Sequence, residues 1–326
     1  MLRIGLAGCG YWGKKLLRNL AALDDIRLAV CDPDDAARAY AARYASTLSS
    51  YSNLIQRSDA VVIATQPAQH AAMAVQALES KVHVFVEKPM ATCLEDAWRM
   101  EKAATESRCV LMVGHTFVHN AAVHFLRDVI QSGEIGRPIY GYGQRLNLGI
   151  VRKDVGVLWN LGPHDVSIAD FLFDGVEFQG VRKESVLPVD VSPHEDVAFL
   201  SLCAHDQGAP IPLHIHLSWV DPQKARRMTI VGERKMLVYD DTSHDPIRIY
   251  DSRIERQPLD AAAGSFGESR AVSRPGVLTI PRVDVPEPLG VEMRAFVTAC
   301  REGKAPASCD AAAGRRVVQI LEAATR

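Results

Sequence analysis

The tripeptide Glu87-Lys88-Pro89 places an ammonium group directly after Val82 to Val86, an apolar run that reads as a strand. A lysine at a strand's carboxyl end can donate to a substrate hydroxyl oxygen. It can also stabilise the negative charge that builds on that oxygen as hydride leaves the carbon. The plainer alternative is a solvated lysine in a proline-containing turn. A second segment, Trp159-Asn-Leu-Gly-Pro-His-Asp165, sets Asn160 and His164 four residues apart, so they share a face if a helix spans both. An imidazole titrating near neutrality can take up the hydroxyl proton, although a histidine at a helix start is more often structural. A third segment, Thr65-Gln66-Pro67, follows the strand-like AVVIA, with His70 just inside the next helix. Its spacing alone fits a loop and helix start equally well.

Hydride transfer needs an acceptor, and the amino terminus carries a site for one. Leu2 to Ala7 reads as a buried strand and Lys14 to Ala22 as a helix. Between them Gly8, Gly10 and Gly13 form G-x-G-x-x-G, with Tyr11 and Trp12 inside the turn. That is the strand–turn–helix setting of a dinucleotide site. Gly8 permits the tight turn, Gly10 the approach of a pyrophosphate, and Gly13 close packing of helix on strand. A second strand, Ile26 to Cys31, ends in Asp32, about 20 residues past the glycines, where a carboxylate accepts from ribose hydroxyls. The alternative for Asp32 is an N-cap of the following helix. A carboxylate there repels a 2′-phosphate, which favours NAD over NADP.

These segments need a frame that brings strand ends together. From Asp34 to Gly114 helical patterns (34–45, 69–79, 94–107) alternate with short apolar runs (60–64, 82–86, 110–114). Such alternation predicts right-handed βαβ units in a doubly wound parallel sheet, an α/β Rossmann domain over residues 1–118. After a helix at 119–131 the pattern changes to closely spaced strands at 139–146, 197–203, 213–219, 228–231, 236–239 and 247–250. Residues 119–326 are therefore expected to form an α+β domain with a large, mostly antiparallel, open-faced sheet, closed by two amphipathic C-terminal helices. Leu213 to Trp219 alternates, placing His214, His216 and Ser218 on one face. Pro258 to Gly276 reads as a surface loop.

At 326 residues the chain can hold two cores, and 37 basic against 39 acidic residues argue against a nucleic-acid partner. No apolar run approaches the roughly 20 residues of a membrane span. A strand beginning at Leu2 leaves no room for a signal peptide. Seven scattered cysteines without a C-x-x-C pair point to a reduced, cytoplasmic protein. His115 and His119 are four apart but lack a metal-site setting, so no metal is expected.

In this order, GLAGCGYWG, ATQPAQH, VEKP, VGHTF and WNLGPHD resemble the Gfo/Idh/MocA family of NAD(P)-dependent oxidoreductases acting on sugars, inositols and sugar nucleotides. SWVDPQKARRMTIVGERKMLVYDD and EPLGVEMRAFV extend the likeness to nearly the whole chain. The resemblance implies that Lys88 stands between nicotinamide and substrate, that Pro89 follows a cis peptide, and that His164 transfers the proton. It places Thr65, Gln66, Pro67 and His70 beside the nicotinamide ribose, with Glu87 as an adjoining cofactor contact. Asn160 departs from the aspartate common in the family. An amide orients a neighbour but cannot stabilise an imidazolium by charge, so His164 is expected to titrate lower than in an aspartate-bearing relative. The run from Arg145 to Asp154 before WNLGPHDVSI looks like the branch that oxidises nucleotide-linked amino sugars at C3, of the UDP-N-acetylglucosamine or glucosaminuronate type. Arg145, Asn147 and Arg152 would then meet a diphosphate or carboxylate, and Trp159 a sugar ring. The alternatives are an inositol or free-sugar dehydrogenase, a 3-ketosugar reductase, or a non-catalytic NAD-binding regulator. A homodimer or homotetramer is expected, with the open sheet face buried between subunits.

Overall fold

The computed structural model describes residues 1–148, 151–153, 155–251, 253–258, 269–274 and 276–326. In chain order the amino-terminal elements are β1 (Leu2–Ala7), α1 (Gly13–Ala21), β2 (Ile26–Cys31), α2 (Asp35–Ala41), β3 (Ser46–Leu48), α3 (Tyr51–Gln56), β4 (Ala60–Ile63), α4 (Pro67–Glu79), β5 (His83–Glu87), α5 (Leu94–Ser107) and β6 (Leu111–Gly114). A 3-10 turn (Thr116–His119) leads to α6 (Ala121–Gln131), β7 (Pro138–Leu148), α7 (Val157–Phe173), β8 (Glu177–Glu184), β9 (Val197–Asp206), β10 (Ala209–Ser218), β11 (Val220–Gly232), β12 (Met236–Asp240) and β13 (Ile247–Tyr250). The chain continues through β14 (Arg253–Pro258), β15 (Ser269–Arg274) and β16 (Leu278–Thr279) to α8 (Pro288–Glu302) and α9 (Ala311–Thr325).

Two compact units result. The first comprises Met1–Ala121, Leu158–Phe171 and Val285–Arg326; the second comprises Ala122–Val157 and Leu172–Asp284. Most of α7 and both C-terminal helices thus group with the amino-terminal sheet, whereas the boundary read from the sequence was a single cut at 118/119.

The first unit's sheet has the order β3-β2-β1-β4-β5-β6 among the described residues, every neighbouring pair parallel. This is the doubly wound order whose reversal beside β1 opens a crevice at the strand carboxyl ends. Burial drives it: Val61, Val62, Ile63, Val84, Phe85 and Val86 are fully enclosed by helices on the two faces. In this unit β3 and α3 went unread in the sequence. Each is too short, at 3 and 6 residues, to show a period. Phe85 meets Phe296 of α8 edge-on at 5.5 Å, and Arg316 of α9 pairs with Asp170 of α7 at 2.7 Å.

The second unit's sheet runs β16-β13-β12-β11-β7-β10-β9-β8, antiparallel except for β7 beside β10. Leu213, Ile215 and Leu217 of β10 are buried. His214 is exposed and His216 half-buried, as the alternation requires, but Ser218 is buried with Trp219 where the strand ends. The open face is aromatic as well as polar. Tyr140 stacks on Tyr142 at 6.4 Å, and Phe199 on His216 at 4.4 Å. Part of the expected loop at 258–276 is strand: β15 lies within it and pairs antiparallel with β14, a ladder whose backbone pairing joins residues too far apart for local turn composition to show; residues 259–268 and 275 lie outside the described residues.

Phe296 is fully buried against Phe85, so Phe296→Ala should cost about 3–5 kcal/mol of stability. Urea unfolding should show this as a lower midpoint at unchanged slope.

Candidate active site

The glycine turn has the shape a pyrophosphate needs. Gly8 is left-handed, φ +93°, and a Cβ there would stand 2.6 Å from the Ala64 carbonyl oxygen. A Cβ on Gly13 would overlap the Gly8 carbonyl oxygen, whereas one on Gly10 would meet nothing within 4 Å. Gly8 and Gly13 thus serve the fold, and Gly10 keeps open space above the turn. The start of α1 has no side-chain cap; the Lys14 amide donates to the Gly10 carbonyl at 3.0 Å and the Lys15 amide to the Trp12 carbonyl at 2.8 Å. Asp32 Oδ2 accepts from Cys9 N–H at 2.7 Å, and Oδ1 from Asp34 N–H at 2.9 Å. Each carboxylate oxygen retains acceptor capacity for a ribose hydroxyl. Tyr11 is exposed at the turn and Lys15 Nζ lies over it at 4.6 Å and over the Trp12 ring at 4.9 Å.

Trp12 connects this turn to β5. Its indole N–H donates to Oε1 of the buried Glu87, while the Lys88 amide donates to Oε2 at 3.2 Å. Burial pushes the Glu87 carboxyl up to about 7; the Trp12 hydrogen bond and the Lys88 charge oppose that rise. The Lys88–Pro89 peptide is cis. His70 is buried, with Nδ1 at 2.9 Å from the Pro89 carbonyl oxygen and Nε2 at 3.2 Å from that of Thr65. Burial depresses its pKa more than the two carbonyls raise it, so the neutral ring donates to one of them. Both ring nitrogens face backbone, and His70 joins the 65–67 loop to the 88–89 turn. Thr65 is half-buried, and Pro67 opens α4 directly after the exposed Gln66.

Helix α7 starts at Val157, earlier than the expected start near Pro163, so Asn160 and His164 do lie one turn apart. Pro163 inside this helix has no N–H for the Trp159 carbonyl and loosens that turn. One residue on, the Asn160 carbonyl oxygen accepts from Lys88 Nζ at 3.0 Å. The backbone of residue 160 is thus one partner of the lysine. His164 packs edge-on against Phe117 at 5.0 Å. Lys88, Asn160 and His164 are all half-buried and all belong to the first unit.

Trp159 sits elsewhere. Its ring packs against the core beneath β4 and β5, and its indole N–H donates to Thr325 Oγ1 at 2.9 Å. Arg145 is buried on β7; Asn147, near the end of that strand, and Arg152, beyond it, are half-buried in the second unit. Gly149, Ile150 and Asp154 lie outside the described residues. Two residues went unread in the sequence: Glu292, wholly buried, and Thr116, whose hydroxyl donates to Glu292 Oε2 at 2.9 Å. The signal was present, since Glu292 lies three residues after Leu289 and four before Phe296, on the apolar face of α8. Among the described residues no group of three or more His, Cys, Asp or Glu could hold a metal ion, and no helix is long and apolar enough to cross a membrane.

A parallel 3-2-1-4-5-6 sheet with a glycine turn open above Gly10 and a lysine at the end of β5 is a doubly wound, dinucleotide-binding type of fold. Residues 2–115 match the GFO_IDH_MocA model, described as an oxidoreductase family with an NAD-binding Rossmann fold. Over 97% of its length, and 94% of the relative's, it is 27% identical to a UDP-N-acetylglucosamine 3-dehydrogenase of Acidithiobacillus ferrooxidans. A solved structure of that enzyme superposes with a TM-score of 0.78 at 26% identity, covering 99% of this chain and 96% of the other. A dTDP-3,4-didehydro-2,6-dideoxy-alpha-D-glucose 3-reductase of Saccharopolyspora spinosa is 34% identical over 142 residues, 41% of this chain and 42% of its own length. The chain thus aligns with about two fifths of that relative.

The two open-turn glycines separate folding from binding. Gly13→Ala should lower stability by more than about 2 kcal/mol, and Gly10→Ala by less than about 1 kcal/mol. Gly10→Ala should nevertheless weaken NAD binding at least tenfold, as read by quenching of tryptophan fluorescence.

Proposed function

We propose that this protein is an NAD-dependent dehydrogenase that oxidises a secondary hydroxyl of a sugar, with a nucleotide sugar of the UDP-N-acetylglucosamine type, oxidised at C3, as its substrate. The observation that carries the reading is the Lys88–Asn160 hydrogen bond. It fixes an ammonium group at the end of β5, one turn of α7 from an imidazole, with Glu87 linking the same strand end to the glycine turn.

Bound across the turn, NAD supplies the hydride acceptor. Asp32 holds the adenosine ribose, and its charge disfavours a 2′-phosphate, which supports NAD over NADP. Lys88 donates to the reacting oxygen and stabilises its developing negative charge. His164, set by Phe117, accepts the proton that leaves that oxygen. Asn160 orients its neighbours by hydrogen bonding without adding charge. Arg145, Asn147 and Arg152 provide donors for a diphosphate or carboxylate. Run backwards, the same residues reduce a 3-ketosugar, a direction supported by the likeness to the Saccharopolyspora spinosa 3-reductase.

The reading extends to assembly and location. Tyr140, Tyr142 and Phe199 are exposed on one face of the second unit's sheet, an aromatic patch that a second copy of the chain would cover in a homodimer or homotetramer. Seven free thiols, three of them only half-buried, suit a reducing cytoplasm.

Lys88→Ala should lower turnover of UDP-N-acetylglucosamine about 10²–10⁴-fold while NAD still binds. Equal activity in that variant, or better turnover of inositol than of any nucleotide sugar, would reject the assignment. Light scattering at micromolar concentration should report an oligomer, and Tyr142→Arg with Phe199→Arg should dissociate it; a monomeric wild type would reject the assembly.

A further inference from the structure

Glu292 is the only buried carboxyl among the described residues with an oxygen lacking a hydrogen-bond partner. Its side chain is 0% exposed, Oε2 meets only the Thr116 hydroxyl, and Oε1 meets nothing. A charged carboxylate so placed would carry several kcal/mol of uncompensated desolvation. Glu87, by contrast, receives a hydrogen bond on each oxygen, from the Trp12 indole and the Lys88 amide. Two acceptor contacts suit an anion. The two acids are neighbours: Glu87 pairs with Gly114 across β5 and β6, and its Oε2 lies 3.1 Å from where a Gly114 Cβ would be. Thr116, which holds Glu292, is two residues further on.

We propose that Glu87 and Glu292 share a single proton, that Glu292 holds it, and that Glu292 is thereby a positioning residue keeping Glu87 charged beneath the cofactor site. Like charges this close do not both ionise in a dry interior, and the proton settles on the acid with fewer donors. The surroundings agree. Around Glu87 stand Trp12 of α1 and Lys88. Around Glu292 stand Thr116, Glu87 and the thiol of Cys309; nearby His115 is held neutral by burial, with His119, Lys88 and Arg316 facing it. Burial and the Glu87 charge both push Glu292 well above the ordinary carboxylate range.

The consequence rests on the function proposed above. A nicotinamide ring is cationic when oxidised and neutral when reduced, so an anionic Glu87 favours the oxidised form. Neutral Glu292 allows that charge; an ionised Glu292 would oppose it.

The pair can be read without cofactor. In protein labelled with ¹⁵N-indole tryptophan, the Trp12 resonance (assigned with Trp12→Phe) should titrate with a midpoint about that of Glu87 and lose the transition in Glu87→Gln. Because Glu292 is already neutral, Glu292→Gln should leave the midpoint within about 0.3 pH units. Infrared difference spectra at pH 8 should show a protonated carboxyl band in the wild type that Glu292→Gln removes. A midpoint lowered by a unit or more in Glu292→Gln, a Trp12 resonance that ignores Glu87, or an unchanged carboxyl band would overturn the proposal. If instead NAD fails to bind while these signals behave as described, the proposed function falls and the shared proton stands. NAD affinity that declines below the Trp12 midpoint links the two.

Discussion

A carboxylate buried at a strand end has to find donors, and the way Glu87 finds them organises the first unit. One oxygen takes the indole of Trp12, which begins α1 beside the glycine turn; the other takes the amide of Lys88. The acid thus fixes the glycine turn to the end of the strand that leads into Lys88. A buried acid left without those bonds would cost several kcal/mol or take up a proton. With them, the turn and the lysine keep one geometry.

Around that anchor the chain adds bonds of the same kind, mostly to backbone. Lys88 Nζ is directed by the Asn160 carbonyl, and His70 spans the Pro89 and Thr65 carbonyls. His164 packs edge-on against Phe117. The helix turn that carries the Asn160 carbonyl is the one loosened by Pro163.

Much of this was legible in the residues themselves. Apolar runs gave the strands of the parallel sheet, the glycine spacing gave the turn, and the lysine and histidine segments were found by their position after strands and at a helix. What the sequence concealed has physical causes. Strand β8 reads EFQGVRKE, mostly polar, with a register shift between Phe178 and Gly180 that breaks its alternation. A motif gives residue types without directions, and the packing of the partly buried Trp159 against the first unit's core was not legible from it. The grouping of α8 and α9 with the amino-terminal sheet depends on contacts some 200 residues apart, such as Arg315 with Glu101, which no local pattern carries. Glu292 went unread, although its spacing with Leu289 and Phe296 puts it on the buried face of α8.

The central claim is that one nucleotide lies across the glycine turn with its reactive ring at Lys88 and His164. A crystal structure of the protein soaked with NAD tests it most directly. The account predicts adenosine ribose hydroxyls on Asp32, the pyrophosphate over Gly10, and the nicotinamide beside Lys88 with His164 on the substrate side. A cofactor bound away from that turn, or a nicotinamide out of reach of both side chains, would contradict it.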